Sequence, residues 1–369
     1  MVITLAFSSS AQQIDSLVAA NLQQALDLWL IYHPIKGASA ALITKEGNVW
    51  QGATGVSHGN TPITPQTLFG MASCTKTYVA SIIMQLYQED SLELSDPLHY
   101  YLPAFPNIDS DITITQLLNH TSGIYDFVDH PNFMPAMFAN GTKWWTPEEV
   151  LSSMVNAPYF TPGAGYHYSN TGYLLLGMII EEITGNSFSH ELEQRLLIPN
   201  NLDSTFFWPW MPYPYYPSHW WFELQGVMTD ISGMSDTASY TCSFTAGANL
   251  STPLDLAKWI KALMEGQVVE DSTLALMMAP MSYPFYGLGI SAHSNSYTYN
   301  WCFGHTGNLV HKTAAFYVPA DSLTLVVMHN TDPGLATPLW DELYCHDYLT
   351  QRFFPVLFLL LRTYHKMSS

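Results

Sequence analysis

Ser73-Cys74-Thr75-Lys76 stands directly before a stretch whose apolar residues recur at helical spacing. These residues are Val79, Ile82, Ile83, Leu86 and Tyr87, the pattern of a helix with one buried face. Ser73 is therefore expected where a helix starts, and there free backbone N–H groups and the helix dipole favour negative charge on oxygen. Because residues three apart share a helix face, the Lys76 amine can approach the Ser73 hydroxyl. The pair predicts a nucleophile that needs no histidine, and an N-cap serine beside a solvated lysine is the alternative.

A second polar motif, Tyr168-Ser169-Asn170, lies between a turn-rich stretch at residues 161–165 and an apolar helix predicted over residues 174–180. That helix should end near Gly185, because glycine readily adopts the left-handed conformation of a helix C-terminus. A tyrosine and an asparagine on a short loop between helices can both point into one cleft. A packed tyrosine next to a turn asparagine is the alternative for this motif alone.

A third motif, His305-Thr306-Gly307, lies among predicted strands. The strands are predicted over residues 297–303, 311–318 and 323–329. Gly304 and Gly307 bracket the motif, and glycines in strands often mark places where a ligand approaches the backbone.

In this order, the S-x-x-K, Y-x-N and H-T-G motifs resemble those of the serine penicillin-recognising family. That family includes class C β-lactamases, D-alanyl-D-alanine carboxypeptidases, D-amino-acid peptidases and related esterases. The tyrosine of the middle motif is similar to class C, and the histidine of the last motif looks more like the carboxypeptidase branch. Residues 117–126 and 247–257 also look like connecting segments of the family, and the resemblance covers about residues 12–350.

The resemblance implies an α+β fold of the β-lactamase/transpeptidase type, with an antiparallel sheet, flanking helices and an all-α lobe. The hydrophobic pattern agrees with this fold. It predicts an amphipathic helix over residues 12–31, a hairpin over 38–44 and 49–54, helices and loops over 65–283, further strands after Tyr286, and a last helix near 338–349. We therefore expect one catalytic domain over residues 1–369, with a sheet subdomain at 12–64 and 284–352 and a helical lobe at 65–283.

The predicted chemistry is acyl transfer through an acyl-enzyme at Ser73, which requires a base. The positive charge of Lys76 should lower the pKa of the Tyr168 phenol and make Tyr168 the base, and a neutral Lys76 is the competing base. The resemblance implies that Asn170 orients Lys76 and the substrate amide. It also assigns substrate-binding and oxyanion positions to the third motif. These are His305 as a cation or hydrogen-bond donor, Thr306 as a hydroxyl donor, Gly307, and the backbone N–H of Asn308 together with that of Ser73.

The distribution of basic residues limits the substrate. A carboxypeptidase or β-lactamase binds a carboxylate near the scissile bond, usually through arginine or lysine. Between Lys261 and Lys312 the chain has neither, although an arginine often precedes H-T-G in the carboxypeptidase branch. Candidate substitutes are His293, His305 and Lys312. We expect a carboxypeptidase-like enzyme or a D-amino-acid peptidase or amidase. The alternatives are a class C-like β-lactamase or carboxylesterase and, less favoured, a non-catalytic penicillin-binding or sensor protein.

Residues 207–222 are dense in aromatics and prolines, so they cannot form a regular helix. One interpretation is a rigid aromatic wall over the cleft, formed by Trp210 and Tyr215 together with Tyr125. A loop whose rings pack against the helical lobe is the alternative.

Composition excludes several classes of function. A net charge of −19, from 11 basic and 30 acidic residues, argues against a nucleic-acid surface. The 4 cysteines show no C-x-x-C spacing and are interpreted as buried thiols, with one disulfide left open. No H-E-x-x-H motif and no glycine-rich phosphate loop occurs, so we expect no metal and no cofactor. The expected partner is a small-molecule or peptide substrate, and the oligomeric state is not predicted.

The two ends of the sequence bear on location. Residues 2–7 are apolar and precede small residues, which suggests a secretory signal without its basic region. We expect a periplasmic or secreted protein, with a cytoplasmic location left open. Residues 353–361 are apolar but too few to span a bilayer. They predict either a weak peripheral membrane contact or a tail packed on its own domain.

Overall fold

The computed structural model describes residues 13–214, 217–232, 236–279, 285–294, 301–309 and 311–332. Its helices are α1 (Ser16–Tyr32), α2 (Thr75–Gln88), α3 (Ile114–Leu118), α4 (Phe133–Ala139), α5 (Pro147–Ser153), α6 (Asn170–Thr184), α7 (Phe188–Leu192), α8 (Asp236–Ser243), α9 (Pro253–Met264) and α10 (Asp271–Met278). Its strands are β1 (Gly37–Ile43), β2 (Val49–His58), β3 (Thr61–Pro62), β4 (Phe69–Gly70), β5 (Thr205–Phe207), β6 (Trp221–Leu224), β7 (Val227–Asp230), β8 (Asn249–Ser251), β9 (Ser291–Ser294), β10 (Trp301–Asn308), β11 (Lys312–Val318), β12 (Leu323–His329) and β13 (Thr331–Asp332). The fold is α+β, as expected.

The largest sheet is antiparallel and joins segments that are far apart in the sequence. Its strand order is β3-β2-β1-β12-β11-β10-β9. Strand β1 pairs with β2 on one side and with β12 on the other, where Ala41 lies opposite Val326. The prediction that the sheet combines early and late parts of the sequence is confirmed.

Helices cover both faces of this sheet, which explains why β1, β11 and β12 are buried along their whole length. On one face, Leu22, Leu26 and Trp29 of α1 belong to a hydrophobic cluster with side chains of the sheet. On the other face α9 packs against β1, β11 and β12. A strand buried on both faces reads as a continuous apolar run, as Leu325 to Met328 does.

Several predicted elements are confirmed. Helix α1 and the β1–β2 hairpin form where they were expected, and β12 matches its predicted range. Helix α6 ends at Gly185, whose φ of +69° is the left-handed conformation expected there. The predicted strand over residues 297–303 is wrong at its C-terminal end, because β10 continues to Asn308 and contains the H-T-G motif. Residues 297–300, the helix expected near 338–349 and the apolar residues 353–361 lie outside the described residues.

The middle of the chain is mostly helical, but the expectation that only helices and loops fill residues 65–283 is wrong. Strands β4, β8 and β5 form a small sheet, and β6 and β7 form a hairpin that β13 joins. These strands are two to four residues long, too short to show an alternating pattern in the sequence. The division into a sheet subdomain and a helical lobe stays a prediction.

The described part of the chain contains three of the four cysteines. Cys74, Cys242 and Cys302 are buried thiols, as expected, and Cys345 lies outside the described residues. Within the described ranges, none of the helices combines the length and the apolar composition needed to cross a bilayer.

Candidate active site

Ser73 lies at the junction of the small sheet and the helical layer. It belongs to a single 3-10 turn, Ala72–Cys74, which follows β4 and leads directly into α2. Ala72 has a φ of +46°, a left-handed conformation that costs free energy in a residue with a Cβ atom. Strand β10 lies against this turn. A Cβ atom at Gly307 would be 2.1 Å from the Met71 carbonyl oxygen, so only glycine permits the contact.

Lys76 is fully buried and has three oxygen acceptors. Its Nζ donates to Ser73 Oγ at 3.0 Å, to Asn170 Oδ1 at 2.7 Å and to the Ala246 carbonyl oxygen at 2.8 Å. Burial lowers the pKa of the Lys76 ammonium, because the charged form loses its hydration, and the negative charge of Asp126 opposes this effect. The alternative of a solvated lysine beside an N-cap serine is therefore wrong.

Tyr168 lies in the loop before α6, and Asn170 is the first residue of that helix. The Lys76 Nζ is 5.0 Å from the centre of the Tyr168 ring, and the phenolic oxygen is shielded from solvent. Burial raises the pKa of Tyr168 well above its usual range, and the nearby Ser73 side chain only opposes this. The expectation of a lowered pKa for Tyr168 is wrong, because the loss of hydration on burial is the largest influence on the phenol.

His305 on β10 is buried, with 3% of its surface exposed, and both of its ring nitrogens are engaged. Nδ1 lies 2.5 Å from the Thr306 carbonyl oxygen and must donate to it. Nε2 is then the acceptor of the Tyr286 hydroxyl at 2.8 Å. Burial lowers the pKa of His305 to about 3, and the charge of Lys76 acts in the same direction. The interpretation of His305 as a cation is therefore wrong at neutral pH.

Lys312 and His293, the other candidates to replace the missing arginine, also have polar partners within the protein. Lys312 is 2% exposed and forms an ion pair with Asp332 at 2.7 Å, and it also contacts the Asn308 side chain. His293 Nε2 lies 3.2 Å from Ser291 Oγ. Within the described part of the chain, the site thus offers no uncommitted lysine or arginine to a substrate carboxylate.

The third motif lies along one strand. Thr306 is half-buried, and Asn308 is the last residue of β10, opposite Lys312 in the register with β11. The Cys74 thiol lies 3.3 Å from the His305 carbonyl oxygen and ties the nucleophile's turn to this strand. The structure thus brings the first and third motifs together, although 231 residues separate Cys74 from His305.

Sequence reasoning missed four residues of the site. Asp126 accepts from Asn170 Nδ2 at 2.9 Å, and Ala246 holds Lys76 through its carbonyl oxygen. The His120 ring lies 4.1 Å from that of Tyr168, and Tyr286 binds His305. Asp126 and His120 do lie in the segment 117–126 that resembles the family. Tyr286 and Ala246 carried no signal, because their roles depend on contacts far along the chain.

The predicted aromatic wall is only partly described. The Trp210 ring stacks on Phe207 at 4.5 Å and meets Phe244 at 5.3 Å, so it packs against the hydrophobic core. Tyr125 stacks on Tyr159 and donates its hydroxyl to the Asp129 carbonyl oxygen at 2.8 Å. These contacts favour the packed-loop alternative for Trp210, and Tyr215 lies outside the described residues.

No group of three or more histidine, cysteine, aspartate or glutamate side chains is arranged to hold a metal ion in the described ranges. The acid and base groups of the site are instead the lysine, the tyrosines, the histidines and Asp126. Such a set suits proton transfer and nucleophilic attack.

Comparison with known proteins gives a family match over most of the chain. The sequence model of the family described as Beta-lactamase matches residues 17–343. Penicillin-binding protein 4 of Amycolatopsis lactamdurans is 30% identical over 195 residues, which is 50% of this chain and 48% of that protein. The chain spans 31% to 56% of the length of the first three curated relatives it matches.

Solved structures agree in fold. The D-stereospecific amidohydrolase from Streptomyces sp. is 29% identical, with a TM-score of 0.75 over 85% of this chain and 94% of its own. The D-amino acid amidase from Ochrobactrum anthropi SV3 is 24% identical, with a TM-score of 0.81 over 96% of this chain and 100% of its own. The second likeness shows the fold alone.

Proposed function

The chain belongs to the beta-lactamase family, and on this premise we propose that it is a serine hydrolase that forms an acyl-enzyme at Ser73. The observation that carries the proposal is the buried Lys76 amine, 3.0 Å from the Ser73 hydroxyl. A buried amine with a lowered pKa can be neutral near physiological pH, and a neutral amine can accept a proton.

We propose Lys76 as the base of the acylation step. The Ser73 oxygen bonds to the substrate carbonyl carbon, and its proton passes to Lys76. The tetrahedral intermediate then collapses, the bond to the leaving amine or alcohol breaks, and the leaving group takes the proton. Water cleaves the acyl-enzyme by the reverse sequence, releases the acid and restores Ser73.

Tyr168 has a different part in this proposal from the one its motif predicted. Its raised pKa favours a neutral phenol beside Ser73, which hands its proton to the leaving group while it takes up the proton that Lys76 received from Ser73. Asn170 holds Lys76 in place through its amide oxygen. The backbone N–H groups of Ser73 and Asn308 remain the proposed oxyanion hole, where one donor is typically worth about 3 kcal/mol of transition-state stabilisation.

For the substrate we propose an amide or ester whose leaving group carries no carboxylate. His305 is neutral and Lys312 is paired with Asp332, so neither favours a negative group beside the scissile bond. The likeness to a D-stereospecific amidohydrolase supports an amidase of this kind. A D-alanyl-D-alanine carboxypeptidase, a β-lactamase and a non-catalytic penicillin-binding protein are the less favoured functions. A periplasmic or secreted location remains part of the proposal.

Covalent labelling tests the nucleophile. We expect one molecule of a fluorophosphonate probe to bond to the wild-type protein and to raise its mass accordingly. We expect Ser73→Ala to carry no label. Ser81→Ala is a matched control, because Ser81 lies on the same helix and donates only to the Thr77 carbonyl oxygen at 2.7 Å. Intact mass spectrometry reads both results, and labelling of Ser73→Ala would refute the proposal.

A pair of peptides tests the leaving group. N-acetyl-D-Ala-D-Ala and its C-terminal carboxamide differ at the C-terminal group, which is a carboxylate in the first and a neutral amide in the second, and the measured products are D-Ala and D-Ala amide. We expect kcat/KM for the carboxamide to exceed that for the free acid by at least tenfold, about 1.4 kcal/mol of discrimination. Faster cleavage of the free acid would instead assign a carboxypeptidase.

A further inference from the structure

Asp126 is a buried carboxylate that the Asn170 amide connects to Lys76. Only 3% of its surface is exposed. Its Oδ2 accepts from Asn170 Nδ2 at 2.9 Å, while Asn170 Oδ1 accepts from Lys76 Nζ at 2.7 Å. The amide is therefore fixed at both ends, because its nitrogen faces a carboxylate and its oxygen faces an amine.

We propose that Asp126 is a positioning residue, which orients Asn170 and sets, by its negative charge, how readily Lys76 gives up its proton. The inference rests on the role of Lys76 as base in the proposed function. It adds to that function a residue that touches neither Ser73 nor the substrate and acts through Asn170.

A purely structural role does not account for Asp126. Its Oδ1 caps the short turn Phe127–Asp129 by accepting from the Val128 N–H at 3.3 Å. Serine or asparagine caps such a turn as well, and neither requires the burial of a charge. Burying a carboxylate costs free energy unless it is paired or hydrogen-bonded. Here the second oxygen is turned away from the cap and toward Asn170 of α6.

The groups around Lys76 define the sign of the effect. The groups that face it are the carboxylate of Asp126, the thiol of Cys74, the rings of Tyr168 and Tyr173, and the imidazoles of His120 and His305. Asp126 stabilises the ammonium form, whereas burial destabilises it. The two imidazoles are uncharged, because burial lowers the pKa of both. Removing the Asp126 charge should therefore make Lys76 lose its proton at a lower pH.

A second carboxylate provides a matched control. Asp129 faces Asp126 and, after burial, is the largest cause that raises the pKa of Asp126. Its side chain accepts from the Tyr159 hydroxyl. Neutralising Asp129 should leave the pKa of Lys76 unchanged or raise it slightly, because Asp126 then carries its negative charge more fully.

The test is the pH dependence of the rate of Ser73 labelling by the fluorophosphonate probe. Asp126→Asn keeps the size of the side chain and one of its two accepting oxygens but removes the charge. We expect the acidic limb of the profile to move about one pH unit lower in Asp126→Asn, within the range known for a nearby opposite charge. In Asp129→Asn it should stay in place or move slightly higher.

The outcomes are distinguishable. An unmoved limb in Asp126→Asn, or an equal downward shift in Asp129→Asn, overturns the inference. If Asp126→Asn does not fold, Asp126→Ser removes the charge while keeping a hydroxyl that can cap Val128, and the same shift is expected. Absence of labelling in the wild-type protein at every pH refutes the serine hydrolase itself, not the role of Asp126 alone.

Discussion

Two hydrogen bonds determine what His305 can offer a substrate. Its Nδ1–H is bound to the Thr306 carbonyl oxygen, and its Nε2 receives the Tyr286 hydroxyl. An imidazole held in this way is neutral and has no free donor. Although His305 occupies the position of a cation in the motif, its neighbours therefore keep it polar but uncharged.

Replacing Tyr286 by phenylalanine should loosen this constraint. Loss of the donor to Nε2 removes stabilisation of the neutral ring, so the pKa of His305 should rise. We expect Tyr286→Phe to gain activity on the free-acid peptide relative to its carboxamide when the pH falls from 7.5 to 5.5. Steady-state kinetics on both peptides measures this ratio.

Tyr166→Phe is the control for this change, because the Tyr166 ring lies beside Tyr286 and His120. It removes a phenol from the same aromatic group, and the ratio should stay at its wild-type value. A ratio that does not change with pH in Tyr286→Phe would contradict the assigned role.

At the scale of residues, the sequence predicted contacts that span one helical turn and missed those that depend on the fold. The spacing of Ser73 and Lys76 predicted their contact, because a helix fixes the geometry of residues three apart. No such rule connects Asp126 with Asn170, which is 44 positions away. The expected pKa of Tyr168 failed for a related reason, since burial cannot be deduced from a motif.

Among the elements, α6 and the short turn Phe244–Ala246 set the position of Lys76. Gly177 on α6 faces this turn, and a Cβ atom there would lie 2.3 Å from Thr245 Oγ1. Thr245 is fully buried and donates to the Tyr173 carbonyl oxygen at 2.7 Å, so it cannot move aside freely. One residue later, the Ala246 carbonyl oxygen accepts from Lys76.

Gly177→Ala should therefore impair both stability and acylation. Overpacking costs about 1–3 kcal/mol, and the better helix propensity of alanine offsets about 1 kcal/mol of it. We expect a net loss of up to about 2 kcal/mol in the free energy of unfolding and slower labelling of Ser73. Urea denaturation and labelling kinetics measure the two effects.

Gly172→Ala on the same helix is the matched control. There the nearest atom to a new Cβ, the Leu117 carbonyl oxygen, is 3.4 Å away, which is an ordinary contact. This variant should be neutral or gain up to about 1 kcal/mol. Equal stability of the two variants would contradict the packing argument.

Long elements were predictable from the sequence, and short ones were not. Helix α1 and strand β12 each carry enough residues for a periodic pattern to emerge. Strands such as β4 and β5 owe their existence to pairing with β8, a partner that the local sequence does not reveal. The small sheet beside Ser73 was missed for this reason, although it holds the backbone that precedes the nucleophile.

For the whole molecule, buried neutral histidines predict sensitivity to acid. Burial lowers the pKa of His120, His305, His311 and His329, to about 4 in the case of His311. The unfolded chain binds these protons near pH 6.5, whereas the folded protein does not. Their stabilising contribution is therefore complete above pH 6.5 and falls as the pH drops toward 4, by about 1.4 kcal/mol per pH unit for each histidine.

His311→Asn should make this acid dependence shallower. His311 accepts from the Gly70 N–H at 2.8 Å and donates to the Ser218 carbonyl oxygen at 2.9 Å, and an asparagine can replace the first of these bonds without titrating. We expect a loss of stability at pH 7 but a slope smaller by about 1.4 kcal/mol per pH unit between pH 6.5 and 4.5. Urea denaturation at several pH values measures the slope. His190→Gln, on an exposed residue, should leave it unchanged.

The pairing of β1 with β12 has a consequence for biosynthesis. Gly37 and Asn330, which are hydrogen-bonded at this seam, lie 293 residues apart in the sequence. At about 5–20 residues per second, a ribosome needs roughly 15–60 seconds to supply the second strand after the first. During that interval the early hairpin has an open edge, a known template for aggregation. The nascent chain thus carries Ser73 and Lys76 long before the sheet that borders them can close. Such high contact order predicts slow folding and a need for protection against aggregation during synthesis.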